Sequence, residues 1–397
     1  MTKAKYWVDE YIKKKRDGAS AIRLIRSGQR VFIGSACGEP QELVRALAEH
    51  ANLFTGLEIV RMMSQESAPL IEIANKTADS GFSIRQIYLG AATSPHFRDN
   101  LRFVTPMNIS DVPILFKSRK LPINVALIQL SPPDDFGWMS LGVSVDVTMA
   151  AAYSADLVIA QVNPRMPRVM GQSFVHVNDV DIIVEHEEEL ITIQKAEVSD
   201  IATMIGRQIS RLISDGSTIQ VGLDAASQAT VQALSQKNDL GFHSQYLTMD
   251  IMKLYALGVI NNRNKGINEG KLVASAALGD ADLYEFLHDN PAIEFHPSDY
   301  VNNPYIISRH NRMVSMNVAK VIDLTGQVAV EAMAQTHFAG VSGIMDFVQG
   351  TRRSPGGKSI LMLPSTTPDG KKSNIIPGMG NEPVMVPRGS AHYVATE

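Results

Sequence analysis

The amino-acid sequence predicts an α/β protein made of two related open α/β domains with mostly parallel sheets. Short apolar strands alternate with helical stretches along most of the chain. The order strand, small-residue loop and helix occurs near residues 31–47 and again from residue 218. The chain has 397 residues, of which 45% are hydrophobic, which is enough for two cores of ordinary size. We place the first domain at residues 1–190 and the second at residues 191–397.

The N-terminal elements begin with helices. Residues 6–27 have a helical pattern, and their lysines and arginines form a solvated outer face. Residues 30–34 form a short buried strand, and residues 35–40 form a loop of mainly small residues before the next helix. Such a loop presents free backbone N–H groups to an anion or oxyanion. Cys37 in this loop is either a nucleophile or a small residue that fills a tight turn, and the sequence shows no paired histidine nearby, which favours the turn.

Further strands complete the first domain. They are predicted at residues 57–62, 83–88, 124–130 and 155–162. The last two are nearly continuous apolar runs, which are typical of strands covered on both faces of a parallel sheet. Residues 131–146 follow the third of these strands with many turn-forming residues, at a carboxyl end where open α/β sheets bind ligands. His176 lies in a strand-like run without metal-ligand spacing, so we expect a structural histidine.

The second domain begins after an acidic cluster at residues 185–189, which is either an interdomain link or a solvated turn. The next helix has Ser199 or Asp200 as its cap. A helix-like run at residues 231–237 precedes residue 240. The elements of this region are, in order, a helix at residues 199–213, a strand at 218–222, a loop at 222–228 and a helix from about Ala229.

Composition and charge exclude several classes of protein. The net charge is −4, which provides no basic surface for nucleic acid. The single cysteine excludes an internal disulfide and a multi-cysteine zinc site, and it suits a reducing cytoplasm. The N-terminus is polar and lacks the apolar region of a signal peptide, and no apolar run approaches the roughly 18 residues of a spanning helix. We therefore expect a cytoplasmic enzyme that binds neither nucleic acid nor membrane.

Residues 240–248 read Leu-Gly-Phe-His-Ser-Gln-Tyr-Leu-Thr. Together with the Ser-Pro-Pro-Asp run that opens residues 131–146 and the segments at 323–328 and 338–347, this stretch resembles the acetyl-CoA hydrolase/transferase family, the class I CoA-transferases typified by 4-hydroxybutyrate CoA-transferase. The family motif is G-x-H-[ST]-E, and its Glu is the nucleophile. In this sequence Gly241, His243 and Ser244 match the motif, whereas Gln245 takes the place of the nucleophile.

The resemblance implies a family I CoA-transferase fold and the transfer of CoA between short-chain carboxylates of the 4-hydroxybutyrate, butyrate and acetate type. In such enzymes the Glu attacks the acyl thioester, and a mixed anhydride leads to a glutamyl-CoA thioester. Backbone N–H groups of the loops at Gly38 and Gly222 would stabilise the oxyanions. The implied partners are coenzyme A, carried as the acyl-CoA substrate, and a carboxylate acceptor, without a metal. A homo-oligomer, namely a homodimer, and a truncated C-terminal tail are further expectations from the resemblance.

The resemblance also assigns residues to CoA. In the family the loop after the strand at 218–222 reads G-[IV]-G-x-[IL]-P and lies along the thioester. Here Asp224 replaces the second glycine and Ser227 the proline, which adds bulk and negative charge close to an anionic ligand. Lys358 is either an anion ligand or an exposed turn lysine. The residues assigned to the cofactor are Gly222, Leu223, Asp224, Ala225, Ala226, Gly340, Gly343 and Lys358.

Gln245 cannot act as a glutamate nucleophile, because its amide is neutral and far less nucleophilic than a carboxylate. It is nearly isosteric, so binding can survive. Three interpretations stay open: a deliberate change that holds a CoA complex, a natural homologue with lost or altered chemistry, and hydrolysis by an activated water. Divergence at residues 246–249 favours the natural homologue. The spare acids Asp250 and Glu66 are not assigned to the reaction.

Two functions from other classes compete with CoA transfer. One is a non-catalytic acyl-CoA-binding or partner-stabilising protein, which the loss of the nucleophile would permit. The other is a generic dinucleotide-binding protein, and it is the weaker one because no strand leads into a G-x-G-x-x-G turn followed by an acid.

Overall fold

In a computed structural model of the chain, two parallel sheets occupy the two halves of the sequence. The structure describes residues 6–62, 82–87, 103–193, 195, 197–330 and 342–397. The strands of the first half are β1 Arg30–Ile33, β2 Glu58–Arg61, β3 Ser83–Gln86, β4 Phe103–Val104, β5 Val125–Leu130, β6 Trp138–Ser140, β7 Leu157–Val162, β8 Phe174–His176 and β9 Ile182–Glu185. Those of the second half are β10 Thr218–Val221, β11 Gly241–Phe242, β12 Tyr246–Thr248, β13 Leu272–Ala274, β14 Ala276–Leu278, β15 Ile293–Phe295, β16 Met313–Val318, β17 Val321–Asp323, β18 Val328–Ala329, β19 Lys358–Met362, β20 Ile375–Ile376 and β21 Tyr393–Ala395.

Helices pack around these sheets. They are α1 Val8–Lys14, α2 Gly18–Ile22, α3 Gln41–Glu49, α4 Val112–Lys117, α5 Thr148–Ser154, α6 Asp200–Leu212, α7 Ala225–Gln232, α8 Met249–Ala256, α9 Ala281–Leu287, α10 Ser298–Val301, α11 Pro304–Ser308 and α12 Ile344–Arg353. In the described ranges no helix has both the length and the hydropathy that a membrane-spanning segment requires.

The first sheet has seven strands in the order β4-β3-β2-β1-β5-β7-β9, and all of its pairs are parallel. Every residue of β5 is buried, as expected for a central strand covered on both faces. The second sheet has five parallel strands in the order β11-β10-β16-β19-β21. Smaller sheets of two or three strands complete the second half, and the antiparallel pairs among the described strands are β6 with β8 and β17 with β18.

The two halves share one apolar core and several backbone hydrogen bonds. A single cluster contains Ile128 from the first sheet together with Ile219 and Met316 from the second. The N–H groups of Val145 and Asp146 both donate to the Ser275 carbonyl, at 2.9 and 3.2 Å. The loop that follows β5 is therefore attached to the second half, directly beside β12 and β14.

The predicted fold class is confirmed, since both main sheets are parallel and each half has its own. The strands expected at residues 30–34, 124–130 and 218–222 form with bounds shifted by at most one residue at either end. The domain boundary at residue 190 stays a prediction.

Two helix predictions around residue 230 were wrong. The helix expected from about Ala229 begins at Ala225, because the Asp224 side chain caps it by accepting a hydrogen bond from the Ser227 N–H. The helical pattern at residues 231–237 is only the last turn of this helix, which ends at Gln232 and is followed by turns.

Candidate active site

Residue 245 lies in the link between β11 and β12, and the backbone on both sides of it is fixed. The His243 N–H donates to the Ile219 carbonyl at 3.1 Å, which attaches this segment to β10. The Gln245 carbonyl accepts hydrogen bonds from the N–H groups of Ser275 and Ala276, at 3.0 and 3.1 Å. Since Ser275 also accepts from the first half, position 245 lies where the two halves meet.

The Gln245 side chain is held at both ends. Its Nε2 donates to the Tyr246 hydroxyl at 2.8 Å, and its Oε1 lies 3.5 Å from the Asn302 Nδ2. Only 7% of the residue is exposed. A carboxylate could replace this amide without losing either contact, because a tyrosine hydroxyl both donates and accepts hydrogen bonds.

Gly343 lies against the Gln245 side chain. A Cβ at this position would be 2.7 Å from Gln245 Oε1 and 2.2 Å from Asn302 Nδ2, distances too short for non-bonded atoms. Glycine is required here by close approach, because Gly343 is the N-cap of α12 and lies directly against residue 245. The structure thus brings together Gln245 and Gly343 of the residues predicted from the sequence.

A buried acid lies behind this contact. The Asp346 carboxylate accepts from the Ser110 hydroxyl at 2.7 Å, from the Ser110 N–H at 3.2 Å and from Asn302 Nδ2 at 3.4 Å. Burial raises the pKa of Asp346 to about 6, although hydrogen bonds from Ser110 and Asn302 act in the opposite direction. The acid is therefore largely ionised at neutral pH and about half ionised near pH 6.

The wall behind residue 245 is basic but largely uncharged. The His243 ring lies 4.3 Å from the His310 ring between centroids, and its Nε2 lies 2.8 Å from the Val301 carbonyl. The buried Lys265 ammonium donates to two backbone carbonyls at 2.7 Å. Burial lowers the pKa of His243 to about 3 and that of Lys265 to about 7, and it lowers the pKa of His310 as well. Both imidazoles are thus neutral at neutral pH.

The loop assigned to the CoA thioester lies at the carboxyl end of β10. Ser244 links it to the site, since the Ser244 hydroxyl donates to the Val221 carbonyl at 3.2 Å. Asp224 accepts from both the N–H and the hydroxyl of Ser227, at 2.8 and 2.7 Å. A Cβ on Gly222 would be 2.8 Å from the Asp224 carboxylate. The two departures from the family loop therefore form one hydrogen-bonded cap, which a proline at 227 could not form because it has no N–H.

Burial raises the pKa of the Asp224 carboxyl, against the lowering effect of the Ser227 hydrogen bonds. Leu223, Ala225 and Ala226 line the same turn and are at least partly exposed, so they remain accessible to a ligand. Their predicted role in CoA binding stays a prediction.

The structure does not bring Lys358 to this group. Lys358 is the first residue of β19 and lies level with Ile219 in the sheet register. Gly222 lies about 10 Å further along the strand direction, where the strands have their carboxyl ends. Its ammonium donates to the Leu212 carbonyl at 2.6 Å, at the C-terminal end of α6, where a cation is favoured. This contact accounts for the lysine without a ligand. Gly340, also assigned to CoA, lies outside the described residues.

The loop after β1 does not offer the oxyanion donor expected at Gly38. The Gly38 N–H already donates to the Ser35 carbonyl at 3.1 Å within a buried turn. Cys37 in this turn is fully buried, and burial raises the pKa of its thiol to about 11. Cys37 therefore fills the turn, as the sequence favoured, and is not a thiolate nucleophile.

Other predicted alternatives are settled by local contacts. Asp250 forms an ion pair with Lys195 at 2.6 Å, whereas Glu66 lies outside the described residues. His176 accepts a hydrogen bond from the Asn178 N–H at 3.1 Å and lies 6.1 Å from Tyr6 between stacked rings, as a structural histidine. In the described ranges no group of three or more His, Cys, Asp or Glu side chains is placed to hold a metal ion.

Sequence reasoning missed Asn302, Tyr246 and Asp346 as members of the site. Asp346 stands in a segment that matches the family, so the motif could have indicated it. Asn302 lies 57 positions from Gln245, outside the segments that match the family. Only the folded chain brings the two residues together.

Comparison with known proteins places the chain in a family. The N-terminal domain of the acetyl-CoA hydrolase/transferase family matches residues 1–194, and its C-terminal domain matches residues 279–397. The chain belongs to the acetyl-CoA hydrolase/transferase family. The 4-hydroxybutyrate coenzyme A transferase of Clostridium kluyveri is 39% identical over 392 residues, which cover 98% of this chain and 91% of that protein. The family match and the names of such relatives assign the chain to the CoA-transferase enzymes.

Solved structures agree with this assignment. RipA from Yersinia pestis superposes with a TM-score of 0.91 at 32% identity, covering 98% of this chain and 90% of that one. The 4-hydroxybutyrate CoA-transferase of Porphyromonas gingivalis superposes with a TM-score of 0.83 at 31% identity, with the same coverage of both chains. The fold of two halves with mostly parallel sheets is therefore the fold of this family.

Proposed function

We propose that this chain has the site of an acyl-CoA:carboxylate CoA-transferase for short-chain acids of the 4-hydroxybutyrate, butyrate and acetate type, with residue 245 at the thioester. The observation that carries the proposal is the buried Gln245 side chain, held between Asn302 and Tyr246, at the residue that the motif resemblance assigns to the nucleophile. The name of a relative with 39% identity contains 4-hydroxybutyrate, which supports this class of short-chain acids. The sequence's expectation of a cytoplasmic homodimer is part of this proposal.

The unmodified chain, with Gln245, binds acyl-CoA without forming the glutamyl intermediate. A neutral amide with both ends hydrogen-bonded has no lone pair suited to attack a thioester, whereas a glutamate at the same place would. In the Gln245→Glu variant the Tyr246 hydroxyl donates to one carboxylate oxygen and Asn302 to the other, so the nucleophile is oriented by contacts that already exist. Hydrolysis by an activated water is the alternative reaction, and it would not need residue 245 to be an acid.

The test is acyl exchange from butyryl-CoA to labelled acetate, measured for the chain as written and for Gln245→Glu. Gln208→Glu is the matched control, because it makes the same chemical change on the exposed face of α6. We expect exchange from Gln245→Glu alone. Exchange by the chain as written would contradict the assignment of residue 245, and release of free butyrate without exchange would support the hydrolase instead.

A further inference from the structure

Within the described ranges, the polar neighbours of the Asn302 carboxamide all lie at its nitrogen end. Its Nδ2 lies 3.5 Å from Gln245 Oε1 and 3.4 Å from Asp346 Oδ2. A Cβ on Gly343 would come within 2.2 Å of the same nitrogen. Asn302 is fully buried, and its Oδ1 has no hydrogen-bond partner in the part of the chain that the structure describes. The orientation of the carboxamide therefore decides whether side chain 245 faces the Asn302 nitrogen or the Asn302 oxygen.

Asp346 selects that end. A carboxylate accepts hydrogen bonds and donates none, so it is satisfied by the Asn302 nitrogen and repelled by the Asn302 oxygen. Gln245 imposes no such choice, because an amide can turn to offer either a donor or an acceptor. The ionised acid at 346 is thus the group in this contact that prevents the Asn302 carboxamide from turning over.

Ser110 holds the acid in place from the first half of the chain. Its hydroxyl donates to Asp346 Oδ1 and its N–H donates to Asp346 Oδ2, at 2.7 and 3.2 Å. Two donors on one carboxylate fix its plane and favour the ionised form. Asp346 itself lies in the first turn of α12, where negative charge is favoured. The path from Ser110 through Asp346 and Asn302 to residue 245 crosses from one half of the molecule to the other.

We propose that Asp346 is a positioning residue of this site, which holds the Asn302 carboxamide with its N–H groups toward side chain 245. The inference rests on the function proposed above. In the Gln245→Glu variant the Asn302 N–H then meets the glutamate carboxylate and fixes it for attack. When Asp346 is protonated or replaced by asparagine, one of the two carboxylates that select the Asn302 nitrogen is lost, and the carboxamide is held less firmly toward the glutamate.

The kinetic test uses the Gln245→Glu background, to which Asp346→Asn or Ser110→Ala is added. We expect Asp346→Asn to lower kcat for exchange about tenfold or more, with KM for butyryl-CoA changed less than about twofold, because a charge-assisted contact is lost and the binding surface for CoA is not. The fall in kcat on acidification through about pH 6, the pKa of Asp346, should be smaller in Asp346→Asn, where only the protonation of the introduced glutamate remains. Ser110→Ala should move that fall to higher pH, since a donor to the ionised form is removed.

Asp282→Asn is the matched control, because it makes the same substitution at an exposed residue in the first turn of α9. It should leave kcat, KM and the pH profile unchanged. An Asp346→Asn variant whose kcat and pH profile equal those of its parent would overturn the positioning role.

A second measurement needs no activity. The carboxyl carbon of Asp346 is followed by NMR during a pH titration of the otherwise unchanged chain and of Asn302→Ala, with Asp346→Asn to assign the signal. Loss of the Asn302 donor should raise the midpoint. An unchanged midpoint would show that Asp346 does not hold Asn302. If Gln245→Glu gives no exchange, the proposed function fails, while this titration still decides the contact between Asp346 and Asn302.

Discussion

At the scale of single residues, the difference between glutamine and glutamate at position 245 is one of charge rather than of shape. The amide and the carboxylate fill the same volume, and Tyr246 and Asn302 can serve either one. What the carboxylate adds is a nucleophile whose covalent intermediate divides a difficult transfer into two easier steps. On the proposed function, the contacts of side chain 245 are in place and the reacting carboxylate is missing.

The glycine at 343 is a second residue on which the site depends. We expect Gly343→Ala, added to Gln245→Glu, to abolish measurable exchange. The new Cβ would lie 2.2 Å from Asn302 Nδ2 and 2.7 Å from the Oε1 position of residue 245, so both side chains would have to move. Overpacking of this kind costs about 1–3 kcal/mol of folding stability, which a urea unfolding curve would measure. Gly378→Ala is the control, since no heavy atom lies within 4 Å of the added Cβ. Full exchange in the Gly343→Ala double variant would contradict the close approach.

The sequence predicted Gln245 and Gly343 because each stands in a short motif. It could not predict Asn302, whose contact with Gln245 bridges 57 positions, or the bond between Ser110 and Asp346, which bridges 236. Such contacts depend on where helices begin and how the two halves approach each other. Lys358 was assigned to a ligand because it follows two glycines, and in the fold its ammonium contacts the C-terminal end of α6.

At the scale of elements, the start of α7 explains both changes in the loop beside the site. Asp224 and Ser227 cap the helix as a pair, so a chain with Gly and Pro at these places would lack this cap. Periodicity placed this helix four residues too late, because small residues such as Ala225 and Ala226 give no apolar pattern. The capping residue was the better signal.

Replacing Asp224 separates its role as a cap from its charge. Asn caps a helix as well as Asp does, whereas Ala loses about 1 kcal/mol. We therefore expect Asp224→Asn to keep the free energy of unfolding and to bind CoA about threefold to tenfold more tightly, because a negative charge near an anionic ligand is removed. The gain should shrink on acidification, since Asp224 itself is then protonated; its pKa is raised by burial.

Isothermal titration with CoA and urea unfolding measure the two effects. Ser199→Ala is the control for the cap, because Ser199 caps α6 by the same kind of hydrogen bond away from this loop. It should lose stability without any change in CoA affinity. If Asp224→Asn bound CoA no better than the unchanged chain, the loop would not lie beside the ligand.

At the scale of the whole molecule, the site exists only because the two halves are joined. Ser275 connects the carbonyl of Gln245 to the backbone of residues 145–146, and Ser110 reaches Asp346 from the first half. Strand alternation was sufficient to predict two parallel sheets, since each strand carries its burial pattern locally. The docking of the halves left no local pattern in the sequence, and this is why the predicted site was incomplete on that side.

The measurement that tests the central claim most directly is mass spectrometry of the chain as written and of Gln245→Glu after incubation with butyryl-CoA. We expect the Glu variant to gain the mass of one covalently attached CoA on the peptide that contains residue 245, and the chain as written to gain none. CoA attached to a different residue, or attached to the chain with glutamine in place, would contradict the claim that residue 245 is the position of the nucleophile.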